Sequence, residues 1–333
     1  MKHTALSLAS GENNILSLAI YGGFLYAGLS GSPGRIVKIN LSTFTETAIL
    51  SISGNLASAF SVKDGFLYCG SLTKIHKIDL STFTEVATIT LSPGDACGYS
   101  SRILGNYLYM GHYLVGGKIS KVDLTTFTIV ASLTLSSGGT VWQLEIIGDN
   151  LFAGLGAIQK IAKIDLTTFT ETAILTMTGQ GMYSLIKAGD YLMSMSYTLN
   201  PGKVSKIDPI TFTVLSSLTL NSGESRSDAM FLIGDDIYVS LYHSPAKVIK
   251  IDWKNMFRVE TLTFNSGQDW AWPLTANGNY LYCGTYTSPG IILKIDIQEH
   301  PKSLPMEGIF GWENSGEEFT GVKVNGDGEI NVG

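Results

Sequence analysis

The segment Lys-Ile-Asp-Leu, with close variants, recurs seven times along the chain, and no other feature narrows the choice of fold as far. Its lysines are Lys38, Lys77, Lys121, Lys163, Lys206, Lys250 and Lys294, so successive copies stand 39, 44, 42, 43, 44 and 44 residues apart. A repeat of that length holds four short strands, and one small sheet cannot bury both of its faces alone. Radial stacking gives every sheet two neighbours, which is a β-propeller with one blade per repeat. The expected fold class is therefore all-β, a seven-bladed propeller of four-stranded blades.

The copies parse into strands by their apolar and β-branched runs, bounded by Gly, Ser, Asn and Pro. A first run ends in a Gly turn, as at 143–148 and 230–234. A second begins at Leu25-Tyr26, Leu67-Tyr68, Leu108-Tyr109, Leu151-Phe152, Leu192-Met193, Ile237-Tyr238 and Leu281-Tyr282. The third and fourth are typified by 36–41 and 47–53. Copies one to six each have a fourth strand, whereas the seventh runs from Asp296 toward Pro301 without one. The chain start supplies a match, because Thr4-Ala5-Leu6-Ser7-Leu8 parallels Ala48-Ile49-Leu50-Ser51-Ile52. The N-terminal strand is thus expected to pair with the last blade and leave no open edge.

The recurring carboxylate reads as structure before chemistry. Asp79, Asp123 and Asp165 are each followed by a Leu-(Ser/Thr)-Thr-Phe-Thr turn, and Asn40 takes the same place in the first copy. An amide oxygen can accept backbone N–H bonds as a carboxylate does, but it cannot replace a catalytic acid. These positions are expected to cap turns, with Phe44, Phe83 and their relatives filling the space beneath.

Composition removes several function classes. Charged residues are 15 % of the chain, its net charge is −6 and it has no Lys/Arg run, which argues against nucleic-acid partners. No apolar stretch approaches the ~20 residues of a membrane helix, and residues 1–14 do not read as a secretory signal. Cys69 and Cys283 share a repeat position with Ala27 and Ala153, so a small buried residue is the requirement there. The five histidines show no His-x-x-x-His spacing, and there is neither a Cys-x-x-Cys nor a Gly-x-Ser-x-Gly. No catalytic residue, metal or cofactor is expected.

The loops from each fourth strand to the next first strand differ most between copies, and in a propeller they gather on one face. They carry the candidate ligand-binding residues Tyr99, Trp142, Tyr183, Asp228, Asp269, Trp270 and Trp272. Aromatic rings beside acids and amides suit a sugar, whose ring stacks while its hydroxyls hydrogen-bond; the same tryptophans also suit packing at the channel mouth. A glycoside hydrolase would need two carboxyl groups ~5–9.5 Å apart. Asp95, Glu145, Glu224, Asp228 and Asp269 are available, but no local motif selects a pair, and the chain is expected not to be an enzyme.

Gly284-Thr285-Tyr286-Thr287-Ser288-Pro289-Gly290, followed by Ile-Ile-Leu-Lys-Ile-Asp, resembles a large group of microbial seven-bladed propeller repeats. That resemblance spans about residues 1–297 and implies the fold but no common activity. Residues 298–333 leave the pattern. Gly311-Trp312, then Val322-Lys323-Val324-Asn325-Gly326-Asp327-Gly328-Glu329-Ile330-Asn331-Val332, reads as a hairpin around a strong turn. This tail resembles short C-terminal segments of virion proteins from tailed phages and prophages. The resemblance implies a structural or adhesive virion component, assembled in a host cytoplasm. Its tail would dock to other virion proteins or to further copies of the chain through Phe310, Trp312, Val322, Val324, Ile330 and Val332. A lectin-like propeller that binds a host-surface glycan, at a cell surface or outside the cell, is the alternative. The expected division is 1–297 as propeller and 298–333 as linker and tail.

Overall fold

A computed structural model describes residues 1–113, 116–156, 158–177, 181–196, 200–227 and 229–298, with 323–324 and 330–331; of Tyr183 it describes the backbone only. Residues 1–298 form one compact unit, and the chain beyond them is a separate one. The first unit consists of seven antiparallel sheets of four strands, a seven-bladed β-propeller. Blade one comprises Asn13–Tyr21, Phe24–Ser30, Gly34–Asn40 and Thr45–Ile52, in order from the axis outward. Blades two to six repeat that order.

Burial explains why the four runs look different in sequence. Second strands such as Phe66–Ser71 and Asn150–Leu155 are buried at every position after the first, because neighbouring blades cover both of their faces. They are accordingly continuous apolar runs. Outer strands such as Thr84–Thr90 and Thr170–Thr176 alternate between exposed and half-buried positions, and most of the exposed ones are Thr.

Blade seven is completed from the far end of the chain. Lys2–Ser7 pairs antiparallel with Ile291–Asp296, from Lys2 opposite Asp296 to Ser7 opposite Ile291. Blade one closes against this sheet as other blades do against theirs. A Cβ placed on Gly284 would stand 2.5 Å from Ile15 Cγ2, so only glycine allows blade seven to approach the first strand of blade one so closely.

The turn caps are present. Asp79 Oδ1 accepts the Ser81 and Thr82 N–H groups at 2.8 and 3.3 Å, Asp165 Oδ1 those of Thr167 and Thr168 at 2.8 and 2.9 Å, and Asn40 Oδ1 those of Ser42 and Thr43 at 2.9 and 3.2 Å. The phenylalanines behave differently from expectation. Phe44, Phe83, Phe127, Phe169 and Phe212 all have φ between 51 and 54°, and each ring crosses to the preceding blade. Phe83 meets Tyr26 with ring centroids 5.7 Å apart, Phe127 meets Tyr68 at 6.0 Å, and Phe44 closes the circle on Tyr282 at 6.2 Å. The recurring lysine sits in the same joint: Lys38 Nζ is 4.2 Å from the Phe24 centroid and 5.5 Å from that of Phe83. The motif is a cation–π joint between blades, not a local plug under its own turn.

All three cysteines are unpaired and buried. Burial raises each thiol above its ordinary pKa, which makes it a poor nucleophile. In the second unit, Lys323–Val324 pairs antiparallel with Ile330–Asn331. Phe310, Trp312, Val322 and Val332 lie outside the described residues, and of Val324 and Ile330 only the backbone pairing is described.

Candidate functional site

The connections from fourth to first strands and from second to third strands emerge on one face of the disc. On that face the chain assembles a continuous aromatic layer. Tyr99, near the start of the first strand of blade three (Cys97–Leu104), stacks on Trp142 of blade four, with centroids 5.0 Å apart and planes 8° from parallel. Tyr113 meets both edge-on, at 5.5 and 5.4 Å. Tyr99 also touches Trp272 of blade seven at 5.8 Å. Trp272 stacks on Tyr286 at 5.1 Å, and Tyr242 of blade six stacks on Trp270 at 5.5 Å, with planes 11° apart. The Arg226 guanidinium lies 4.0 Å from the Tyr242 centroid and 5.8 Å from that of Trp272, joining the two halves by cation–π contact.

Local sequence places these rings. Tyr113, Tyr242 and Tyr286 each follow directly on a second strand (Tyr107–His112, Asp236–Leu241, Tyr280–Thr285) and so share one register. Blade four has Gly156 there, where a Cβ would lie 2.2 Å from Trp142 Cδ1; the missing side chain makes room for the indole. Trp270 occupies the register of Asn14. The Trp270 N–H donates to His243 O at 2.9 Å, and the Asn14 N–H donates to the corresponding Thr287 O at 2.9 Å. Both have left-handed backbones, with φ of 57 and 52°. Asn tolerates that region, whereas for a bulky residue it is strained. Trp270 is nevertheless held there with 38 % of its surface exposed.

Of the residues named from sequence, Tyr99, Trp142, Trp270 and Trp272 therefore share one layer. Asp269 adjoins it, accepting a hydrogen bond from Ser244 Oγ at 2.9 Å. Asp228 and the side chain of Tyr183 lie outside what is described. Tyr113, Tyr242, Tyr286 and Arg226 complete the layer. The signal that could have found the tyrosines is their common position one residue after a second strand.

Beneath the layer the channel holds a cavity of about 290 Å³, lined in part by Ser17, Phe60, Ser101, Arg102, Gln143 and Thr275. That is just under the ~300–1,000 Å³ usual for small-molecule sites. Arg102 donates to Glu145 Oε2 through Nε and Nη2, at 3.3 and 3.0 Å, which ties blade three to blade four across the channel wall.

The other described carboxylates considered from sequence are also engaged. Asp95 pairs with Lys118. Glu224 accepts two bonds from Arg258, at 2.7 and 2.8 Å, and the Asn221 N–H at 3.1 Å. Burial pushes its carboxyl upward, but these donors and the Lys247 charge outweigh that effect and hold it below its ordinary range. The same loop cap is made by Glu12 on the Ala9 N–H at 2.9 Å and by Gln268 on the Asn265 N–H at 3.0 Å. A glutamine in that role marks it as structural.

Blade two also holds a triad-like arrangement. Ser71 Oγ lies 2.8 Å from His76 Nε2, and His76 Nδ1 lies 2.7 Å from Glu85 Oε2, in the order of nucleophile, base and orienting acid. Ser71 and His76 are fully buried, and a Cβ on Gly54 would already stand 2.4 Å from Ser71 Oγ, so no substrate carbonyl fits. Blade three carries the same pair exchanged, His112 Nε2 to Ser120 Oγ at 2.8 Å, and blade four puts Leu155 and Ala162 in the same two places. The pair is a packing solution. Burial lowers the pKa of both histidines, to about 4 for His112. Among the described residues, no group of three or more His, Cys, Asp and Glu could hold a metal ion.

No protein-family description matches the chain. No curated protein matches it either. Among solved structures, the computationally designed Ika8 protein superposes with a TM-score of 0.65 at 12 % identity, over 87 % of this chain and 98 % of that one. Likeness of this kind extends to 1737 chains, so it establishes the propeller and nothing narrower.

Proposed function

We propose that the chain is a non-enzymatic structural and adhesive component of a virion of the tailed-phage kind, a rigid propeller platform attached through residues 298–333. One observation carries the reading. The ring is complete without those residues, because Lys2–Ser7 supplies the last strand, so the fold does not need them for closure and they can serve attachment instead. The likeness of the tail to C-terminal segments of phage virion proteins supplies the setting. Its apolar side chains, Phe310 and Trp312 foremost, serve as anchors in that attachment. Truncation after Ile297 tests it: the propeller should remain folded and monomeric but be absent from purified particles. Normal incorporation of the truncated chain would remove the tail from this role.

A second reading is compatible with the first and concerns the aromatic face. Trp270 keeps an exposed indole in a strained backbone position, backed by Tyr242 and beside Asp269. Strain retained where Asn would sit without it points to a use for the side chain. On this reading the face stacks on a neutral sugar ring of a host-surface glycan. Glycan-array binding by the whole chain that is lost in Trp270→Ala supports it; signals unchanged by that substitution oppose it.

A further inference from the structure

The seven joints between blades are built alike on the face opposite the aromatic layer, and one of them differs in charge. Each joint brings together a lysine of one blade, the capped turn of the next blade and the first hairpin turn of that next blade. Where blade one meets two, Lys38 shares a groove of about 430 Å³ with Asp64 and Asp79. Where blade two meets three, Lys77 shares one with Lys63 and Asp64, and Lys63 Nζ spans it to Gly105 O at 2.8 Å and Asn106 Oδ1 at 3.2 Å. Where blade seven meets one, the groove is about 520 Å³, and its lining includes Lys294, Asn40, Ser42, Asn277 and Tyr280 but no acid.

Register shows why. The capping position is Asp79, Asp123, Asp165, Asp208, Asp252 and Asp296 in six copies and Asn40 in the first. The hairpin turn carries Asp64, Asp149, Asp190 or Asp235 in four blades and Gly22-Gly23 in blade one. Only the closing joint lacks an acid at both places. Of the three grooves, this one alone is lined by a lysine and no acid.

The donors there are positioned. Asn40 Oδ1 is committed to the Ser42 N–H, the Ser42 hydroxyl at 2.7 Å and the Thr43 N–H. The amide nitrogen therefore stands where the other six copies present a second carboxylate oxygen. The Lys294 ammonium is held over Tyr280, 4.1 Å from its centroid, with Phe44 at 5.7 Å. No described carboxylate lies within salt-bridge distance of it; of the seven recurring lysines only Lys250 has such a partner among the described residues, Asp236 at 3.0 Å. Gly22 and Gly23 have nothing within 4 Å of a would-be Cβ, so that wall is open.

We infer that the groove between blades seven and one is a binding site for a carboxylate-bearing sugar. The carboxylate is received by the Lys294 ammonium and the Asn40 amide N–H, a charge-assisted pair. The ligand's hydroxyls are met by Ser42 and Asn277. The site lies on the face away from Trp270 and stands or falls independently of the glycan reading for that face.

The test uses the whole chain and titrates glucuronate, glucose and sodium sulfate at low ionic strength, read by calorimetry or saturation-transfer NMR. Glucuronate should bind, and glucose should bind at least about tenfold more weakly. Asn40→Asp should lower glucuronate affinity by about tenfold or more, since it returns a like charge to the groove. That variant should keep its melting temperature, because six sibling turns already fold with Asp. Lys294→Gln should abolish binding and Trp270→Ala should leave it unchanged. Equal affinity for glucuronate and glucose, or undiminished binding by Asn40→Asp, overturns the site. Sulfate binding as tight as glucuronate overturns its assignment to a sugar acid.

Discussion

Tyr99 and Trp272 belong to blades three and seven, on opposite sides of the ring, yet their ring centroids are only 5.8 Å apart. The contact bridges the channel, so the aromatic layer reaches across one mouth of the disc. Trp142 and Tyr286 extend it to either side by stacking.

Trp272→Ala should open that mouth. It removes ring contacts with Tyr99 and Tyr286 and the Arg226 cation–π contact, at a cost of about 2 kcal/mol for a half-buried indole. The melting temperature should fall by several degrees, and acrylamide should quench the remaining tryptophan emission more strongly as Trp142 gains solvent. Unchanged quenching would show that the layer does not control access.

Closure by the chain start gives a second expectation. Deleting residues 1–11 removes the strand paired with Ile291–Asp296 and leaves a long unpaired edge. The shortened chain should aggregate or lose substantial thermal stability. A peptide of residues 1–11 added in trans should restore both, by strand addition to the vacated edge. A deletion mutant that stays soluble and melts at the parent temperature would refute the closure.

The joints make a third. Phe169 packs on Tyr109 at 5.8 Å and beneath Lys121 at 5.7 Å while holding φ near 52°. Phe169→Ala should destabilise by roughly 2–4 kcal/mol through lost packing. Phe169→Gly should recover up to about 1 kcal/mol of that loss, because glycine adopts the left-handed region freely. Thermal melts of the two variants side by side check the ordering; alanine the more stable would mean that the backbone strain is not real.

How far the fold was legible follows from what repeats. Seven blades, four strands and the N-terminal completion can be read because each depends on local apolar pattern and on counting. The turn caps can be read because Asn40 shows which property the position needs. The partner of Phe83 cannot, since a ring that leaves its own repeat for Tyr26 and Lys38 of the previous blade carries no local sign of doing so. In the aromatic layer, Trp142, Trp270 and Trp272 stand out where the copies diverge. Tyr286 is hidden inside the shared Gly-Thr-Tyr phrase, and its contact with Trp272 depends on the diameter set by all seven blades. Ser71–His76 and His112–Ser120 look unrelated along the chain. They become one exchanged pair only once second and third strands are laid in register.

That exchanged pair governs the pH dependence. His112 is fully buried, and desolvation lowers its pKa from 6.5 to about 4; the Lys118 charge acts in the same direction and Asp95 against it. Between those values the unfolded chain takes up a proton that the folded chain refuses, so stability is full above pH 6.5 and declines as pH falls to about 4. The interval corresponds to about 3 kcal/mol. His76 contributes in the same sense, its pKa lowered by burial against the opposing pull of Glu85. The turn-capping Asp79, Asp165, Asp208 and Asp252 are held by their hydrogen bonds below the ordinary value of 3.8, so their loss comes later in the descent. Replacing His112→Leu together with Ser120→Ala copies the Leu155–Ala162 pair of blade four and should fold. Melting curves between pH 7 and 4 should then show a shallower decline than the parent, with a residual slope from His76. An unaltered slope would mean that the His112 ring is reached by solvent and titrates near its ordinary value.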